Sequence, residues 1–494
     1  MIQVTTTAQA PETLAADLLV AIVPKENWDT GLEGLDNAFG GKLIALARSE
    51  GFEGKRDQTF LTHSHGQLPA KRLLLLGMGD MALTSDQLRD LGGHAAQKAR
   101  DTHAATIAIS APWDHALMGS MSTAARLVVE GAGLGTYRFE NHLTQPSEAP
   151  RLEHITLLLD HDLTAELAHA KAVLAGTYLA RDLSNEPPNI CTPAFLATQA
   201  LDIAKRHGMK ATVLEPDALT EQGFNLLLAV GRGASDKPRF IHLTYTGEGP
   251  ITHRAAFVGK GVTFDTGGYS LKISGGMKNM HLDMCGAAAV LGAAEALGHL
   301  APKGVEVHFI VPTAKNSVSD EAYTVNEIIK GYGGKTVEIL NTDAEGRLIL
   351  ADALAYTTQL GVDAIIDLAT LTGSCVVALG EHYSALFSNN AELTAALQTA
   401  SSESGDRLWH MPLDEKLREK LKSPVADIKN VGDRWGGAIT AALFLREWVG
   451  DSIWAHLDIA GPAINEHELP TTPKGGSGVG VAVLTAYALN AARR

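Results

Sequence analysis

The chain is expected to be a two-domain α/β protein. Three features of the sequence predict it: short apolar runs of strand length, helical patterns between them, and glycine or proline marks where the runs end. Strands alternating with helices at this spacing argue for a mixed, mostly parallel sheet flanked by helices. In the first third, Lys71-Arg72-Leu73-Leu74-Leu75-Leu76 reads as a strand reaching Gly77-Met78-Gly79-Asp80, and Asp86 to Leu91 begins a helical pattern. Gly-x-Gly after a strand hints at dinucleotide binding, but the third glycine of that fingerprint is missing, so a tight strand-to-helix turn is the reading taken. His63-Ser64-His65 has alternating histidines without further ligands and reads as a polar strand or loop.

A long helical stretch from Leu163 to Leu183, apolar at Leu167, Ala170, Val173, Leu174 and Leu179, runs into Asn185-Glu186-Pro187-Pro188-Asn189, where the prolines stop it. The domain boundary is placed just before this helix, giving a smaller N-terminal α/β domain over 1–162 and a larger domain over 163–494. Strand candidates beyond it are Phe240–Tyr245, Ala255–Val258, Val305–Val311 and Ala364–Leu368. The small residues of Gly286–Ala294 suit a helix lying close against a sheet. Acidic residues at such strand ends converge on one edge, where open α/β sheets keep their sites.

The most informative stretch is Asn341-Thr342-Asp343-Ala344-Glu345-Gly346-Arg347-Leu348, which packs two acidic side chains and a guanidinium into a glycine-marked turn before an apolar helix. Alone it would read as a helix start, since the macrodipole favours acids there. A second cluster upstream changes the reading: Gly259-Lys260-Gly261-Val262-Thr263-Phe264-Asp265-Thr266-Gly267-Gly268, then Lys272 and Asp283. Asp265, Asp283, Asp343 and Glu345 carry four negative charges, which two divalent cations would neutralise. Two metals about 3.5–4 Å apart can bind and polarise one bridging water. Burial beside dications depresses a lysine pKa, so one neutral amine could complete an otherwise all-oxygen shell, leaving the other cations to face substrate. An isolated lysine is ordinarily a solvated surface charge. Lys260 differs in lying between two glycines just after a buried strand.

Both clusters, in this order and spacing, closely resemble the leucyl aminopeptidase (cytosol aminopeptidase) family of dinuclear metallo-aminopeptidases. The octapeptide from Asn341 matches that family's signature, and Gly259–Gly268 matches its lysine and first aspartate motif with Thr266 where serine is usual. Further segments look alike: Glu130-Gly131 through Gly135–Phe139, Asn185–Asn189, Ala369–Gly373, Ala426–Asn430 and Trp454–Gly461. The resemblance spans nearly the whole chain and is densest from about 180 to 480.

It implies one tight metal held by Lys260, Asp265, Asp283 and Glu345, and a more exchangeable one held by Asp265, Asp343 and Glu345, with Mn or Zn first and Mg or Co as other occupants. Lys272 would polarise the scissile carbonyl and stabilise the oxyanion. Arg347 would hold a bicarbonate that shuttles protons. The reaction implied is hydrolysis of the N-terminal peptide bond of short peptides with a free amine, leucine, methionine and other hydrophobic residues being removed. A homohexamer in the cytoplasm is implied as well, the first domain having an oligomerisation or regulatory role and the second being catalytic. The side-chain pocket would be lined near Met280, Asn341, Ala344, Thr370, Leu371, Gly373 and Gly476. Gly476 stands where alanine or methionine is often found, so a roomier pocket is expected.

Other positions depart from the family. Ile273-Ser274-Gly275-Gly276 follows Lys272 where proline and glycine are usual, Cys285 replaces a small residue and reads as a packed hydrophobe, Lys315-Asn316 replaces glutamate-asparagine, and Val325-Asn326-Glu327 replaces a proline-glycine-aspartate turn.

Composition agrees. The 494 residues suffice for two to four domains and a large core. Lys plus Arg at 41 against Asp plus Glu at 56 gives a net charge of −15, which argues against nucleic acid as main ligand. Three widely spaced cysteines, Cys191, Cys285 and Cys375, do not suggest a disulfide framework and fit a reducing compartment. No signal peptide and no apolar run of membrane-spanning length are read. His-Glu-x-x-His, Gly-x-Ser-x-Gly and the P-loop pattern are missing. The alternative is an architectural or regulatory DNA-binding role, in addition to or instead of peptidase activity.

Overall fold

The computed structural model describes residues 2–80, 82–113 and 120–493. The chain forms two compact units: Met1–Leu174 with His467–Pro473, and Ala175–Glu466 with Lys474–Arg494.

In the first unit a six-stranded sheet has the order Gln3–Thr7, His154–Leu158, Thr106–Ser110, Leu18–Pro24, Arg72–Gly79, Thr59–His63. Its pairings are parallel except for the antiparallel edge strand Thr59–His63. The run Leu73 to Leu76 is wholly buried because successive strand side chains point to opposite faces and both faces are covered. Leu74 and Leu76 pack with Leu88, Leu91 and Leu127 of the helices Ser85–Asp101 and Met121–Gly135. Leu73 and Leu75 pack on the other side with Leu35 and Leu43. The strand runs on through Gly77-Met78-Gly79, so these glycines belong to the strand end and not to a turn. Glu130 is fully buried among Arg89 and Arg126.

The predicted helix appears as Thr164–Asn185. The two units change over inside it, after Leu174, and not before it at 162. Leu163 and Ala170 belong to one core, whereas Ala180 and Leu183 belong to another, so the helix serves a different core with each half.

The second unit is built on a nine-stranded mixed sheet. Its centre is parallel, running Val305–Asn316, His253–Gly259, Ala364–Ala369, Trp454–Asp458. Antiparallel neighbours extend it: Arg239–Thr246 and then Lys210–Leu214 on one side, Ser384–Ser388 on the other. Alternation again divides the core. Ala255 and Phe257 face the layer containing the helices Pro193–His207, Cys285–Leu300 and Val481–Ala492, whereas Ala256 and Val258 face that containing Asn225–Gly231, Gly346–Thr357 and Gly437–Arg446. Ala287, Ala288, Ala293 and Ala294 are small enough to seat the Cys285 helix against the strands, as its composition predicted. The three cysteines are buried and free, and burial pushes the Cys285 thiol up to about 12, in keeping with a packing role. Among the described residues no helix is long and apolar enough to cross a membrane.

Candidate metal centre

Parallel strands deliver their last residues to one edge of the sheet, and the polar residues of interest sit there. Lys260 follows the strand His253–Gly259, Thr370 follows Ala364–Ala369, and Asp458 ends Trp454–Asp458. The short strand Gly261–Asp265 pairs with the end of Val305–Asn316, and a register shift between Val262 and Asp265 sets Asp265 opposite Asn316. Asp283 lies between the short helix Met280–Leu282 and the helix Cys285–Leu300. Glu345 stands at the head of the helix Gly346–Thr357, where an acid is favoured.

Carboxylate oxygens of Asp265, Asp283 and Glu345 come within 4.8 Å of one another, and all three residues are buried. Two ammonium groups enter this cluster. Lys260 Nζ lies 2.7 Å from Asp283 Oδ1 and 2.9 Å from Glu345 Oε1, and donates to the Thr370 carbonyl at 2.9 Å. Lys272 Nζ lies 2.9 Å from Asp265 Oδ2 and 2.6 Å from Asp343 Oδ1. The Ile273–Gly276 departure therefore does not keep Lys272 from the cluster.

Four carboxylates against two ammonium groups leave a net charge of −2 in a largely dry site. Burial and the neighbouring carboxylates push the Asp283 carboxyl well above its usual range, Lys260 notwithstanding. Burial likewise raises Asp343 to about 6, against the pull of Lys272. Burial alone would lower the lysines, but the carboxylates around them outweigh it and hold both above the ordinary value. Asp283 Oδ2 is buried without a hydrogen-bond partner among the described residues. Excess negative charge, an orphaned carboxylate oxygen and an oxygen-rich donor set with one amine fit divalent cations. The lysine ammonium groups stand in for part of that positive charge.

The loop carrying these ligands is tied down by its own polar residues. Asn341 Oδ1 accepts from the Asp343 amide at 2.8 Å, and Thr342 Oγ1 donates to the Gly267 carbonyl at 2.6 Å while accepting from the Ser270 amide at 2.8 Å. Gly346 leaves room for Lys260: a Cβ there would lie 2.5 Å from Lys260 Cε. Arg347 is buried, donates from Nη1 to the Asn430 carbonyl at 2.9 Å, and has an Nε without a hydrogen-bond partner among the described residues. Burial lowers it to about 10 despite Glu345 and Asp458 nearby.

Of the expected pocket residues, Thr370 touches the cluster, its Oγ1 donating to Asp283 Oδ1 at 2.7 Å. The Leu371 amide is bound by Asp458, and Gly373 opens the helix Gly373–Leu379. Met280 begins the short helix before Asp283, and Ala344 is buried in the signature turn, where the Asn341 amide group is engaged with the backbone. Gly476 departs from expectation. A side chain there would run into Ser184 Cβ at 2.5 Å, so Ser184 fills the place and the glycine opens no extra room in that direction.

Residues that the sequence did not single out hold the ligands in place. Asn316 Nδ2 donates to Asp265 Oδ1 at 2.8 Å across 51 residues, and Asn430 Nδ2 donates to the Asn341 carbonyl at 2.6 Å. Each lay in a segment already noted, Lys315-Asn316 and Ala426–Asn430, but no spacing rule connects them to their partners.

Comparison with known proteins agrees with the geometry. Residues 178–485 match the model of the cytosol aminopeptidase family, catalytic domain, and 19–146 match that family's N-terminal domain. A probable cytosol aminopeptidase of Geobacter sp. (strain M21) is 44% identical over 461 residues, covering 92% of this chain and 93% of its own. One from Thermosynechococcus vestitus is 45% identical over 439 residues, 88% of each. Among solved structures, a tomato leucine aminopeptidase mutant superposes with a TM-score of 0.91 at 34% identity, covering 99% of this chain and 97% of that one. The bottromycin maturation enzyme BotP in complex with Mn gives 0.86 at 34% identity, covering 97% and 100%. With the lysine and carboxylate motifs assembled at one sheet edge and both domains matched, the chain belongs to the cytosol aminopeptidase family and is a metal-dependent aminopeptidase.

Proposed function

We propose that this enzyme removes leucine, methionine and other hydrophobic N-terminal residues from short peptides with a free amine, using two divalent metal ions. The observation that carries the reading is the Asp265, Asp283, Glu345 cluster with Asp343 joined to it through Lys272. Lys260, Asp265, Asp283 and Glu345 would hold one ion, and Asp265, Asp343 and Glu345 the other. Bound there, divalent metal supplies Lewis-acid polarisation and makes water nucleophilic near neutral pH. Mn or Zn is the first choice, Mn being present in the similar BotP structure, and Mg or Co also suits an oxygen-rich site.

The protein's own groups do the rest. Among the described residues the Lys272 ammonium pairs with Asp265 and Asp343, and the long side chain can swing onto the scissile carbonyl oxygen to stabilise the oxyanion. Lys260 is locked by three partners and positions Asp283 and Glu345. Arg347, a buried guanidinium with a donor to spare, suits an anion such as bicarbonate, which would carry protons to and from the site. Met280, Asn341, Ala344, Thr370, Leu371, Gly373 and Gly476 would border the P1 side chain. Exposed apolar side chains on the catalytic unit, Val377, Trp409, Val425 and Trp435, support self-association, which we assign to a homohexamer. The names of the relatives support a cytoplasmic location.

The test is the initial rate on Leu-Gly-Gly and on its N-acetylated form, after chelation and again after Mn²⁺ or Zn²⁺ is restored. Cleavage of the free-amine peptide alone, and only with metal, is expected. Failure under every metal, or equal cleavage of the blocked peptide, would refute the reading.

A further inference from the structure

A second group of metal-ligand side chains lies in the catalytic unit, at the far end of the Cys285 helix. Glu295 and His299 are one helical turn apart on it, and His207, in the last turn of the helix Pro193–His207, meets them. Glu295 follows Asp283 by twelve positions, about 18 Å along a helix at 1.5 Å per residue. That distance separates the two groups far beyond the 3.5–4 Å or so of a dinuclear pair.

The donor atoms are already gathered. His207 Nε2 is 3.1 Å from Glu295 Oε2, and His299 Nε2 is 3.2 Å from Glu295 Oε1. In a tetrahedral site with bonds near 2.0–2.1 Å, neighbouring ligand atoms stand about 3.3 Å apart. One ligand atom from each of the three side chains falls within 4.8 Å of the others, and His299, the exposed member, is free to close the remaining gap. His207 is bedded in the opposite helix: a Cβ on Gly298 would fall 2.2 Å from its Cγ, so the imidazole occupies the space that a side chain would take. Glu295 is buried, and its Oε2 lies between Arg206 and His207, so the carboxylate is fixed where the two imidazoles meet. Arg206 Nη2, 2.8 Å from Glu295 Oε2 on a half-exposed side chain, now supplies the positive charge and can swing into solvent.

We propose that His207, Glu295 and His299 form a separate zinc-class site, two imidazoles and one carboxylate with water completing the shell, that clamps the ends of these two helices together. Imidazole and carboxylate donors suit Zn²⁺ and its neighbours among the late divalent metals. The proposal is independent of the catalytic cluster.

Equilibrium dialysis of the full chain against Zn²⁺, followed by elemental analysis, tests it. At saturation the wild type is expected to hold one more equivalent than His299→Ala or His207→Ala, the catalytic ions being common to all three. Equal equivalents in the wild type and His299→Ala would overturn the site. Arg206→Ala keeps every ligand and removes a repelling charge, so it should retain the extra equivalent and bind it about tenfold more tightly. Loss of that equivalent in Arg206→Ala would trace the difference to disruption of the helix end and would equally overturn the proposal.

Discussion

Replacing Gly346 by alanine should reveal how tightly the family signature is fitted around Lys260. The new Cβ would lie 2.5 Å from Lys260 Cε, 2.7 Å from Nζ and 2.8 Å from Cδ. Carbon atoms rest about 3.5–4.0 Å apart, so the lysine must retreat by about 1 Å or more. Its ammonium would then leave Asp283 and Glu345, which it meets at 2.7 and 2.9 Å. Overpacking of this kind costs about 1–3 kcal/mol, and a displacement near 1 Å within a reacting constellation costs on the order of a hundredfold in kcat/KM. The same substitution without Lys260 should act in the opposite sense. Gly346 opens a helix with a backbone that alanine can adopt, and there Gly→Ala stabilises by about 0.4–1 kcal/mol by restricting the unfolded chain. A double-mutant cycle with Lys260→Ala, read by urea unfolding in chelator, should therefore show Gly346→Ala destabilising the wild type and stabilising the Lys260→Ala protein. The coupling should be about 1.5–4 kcal/mol. The same change in both backgrounds would refute the packing argument.

Lys272→Met should lower kcat on Leu-Gly-Gly by about a hundredfold or more, as expected for loss of one oxyanion donor, while leaving KM nearly unchanged. A loss confined to KM would move Lys272 from the oxyanion to substrate binding. In the first unit, Arg89 and Arg126 outweigh burial and hold the Glu130 carboxyl at about 2 against an ordinary 4.5. A pKa depressed by folding contributes stability that is complete above about pH 4.5 and lost as pH falls toward about 2. Acid titration of unfolding should thus show the wild type losing roughly 3 kcal/mol relative to Glu130→Gln across that window, and parallel curves would contradict it. Gly476→Ala should cost about 1–3 kcal/mol by overpacking against Ser184, and Ser184→Gly should recover most of it. If Gly476→Ala is neutral in stability and instead narrows P1 preference, the position faces open pocket space after all.

Much of this protein is decided within short windows of sequence. The strand over Leu73–Leu76, the strand that ends just before Lys260, the alanine-rich helix after Asp283 and the acidic turn before the Gly346 helix each follow from side-chain periodicity and turn chemistry over ten or twenty residues. Backbone geometry and local burial act at that range, so the α/β class was legible directly. The cluster of carboxylates and lysines was legible too, because parallel strands and short turns carry such residues to one edge without any further choice. What only the tertiary structure decided are the pairings that no period connects. Asn316 reaches Asp265 across 51 residues and Arg347 reaches the Asn430 carbonyl across 83. Ser184 occupies the space left by Gly476, and His207 comes to rest on Gly298 beside Glu295. The changeover of the two units inside the helix Thr164–Asn185 belongs with these, since its apolar stripe is continuous and only packing reveals that its halves serve different cores. Each of these contacts depends on how separate elements meet in space, which is set by the shape of whole packed layers and leaves no mark in the local pattern.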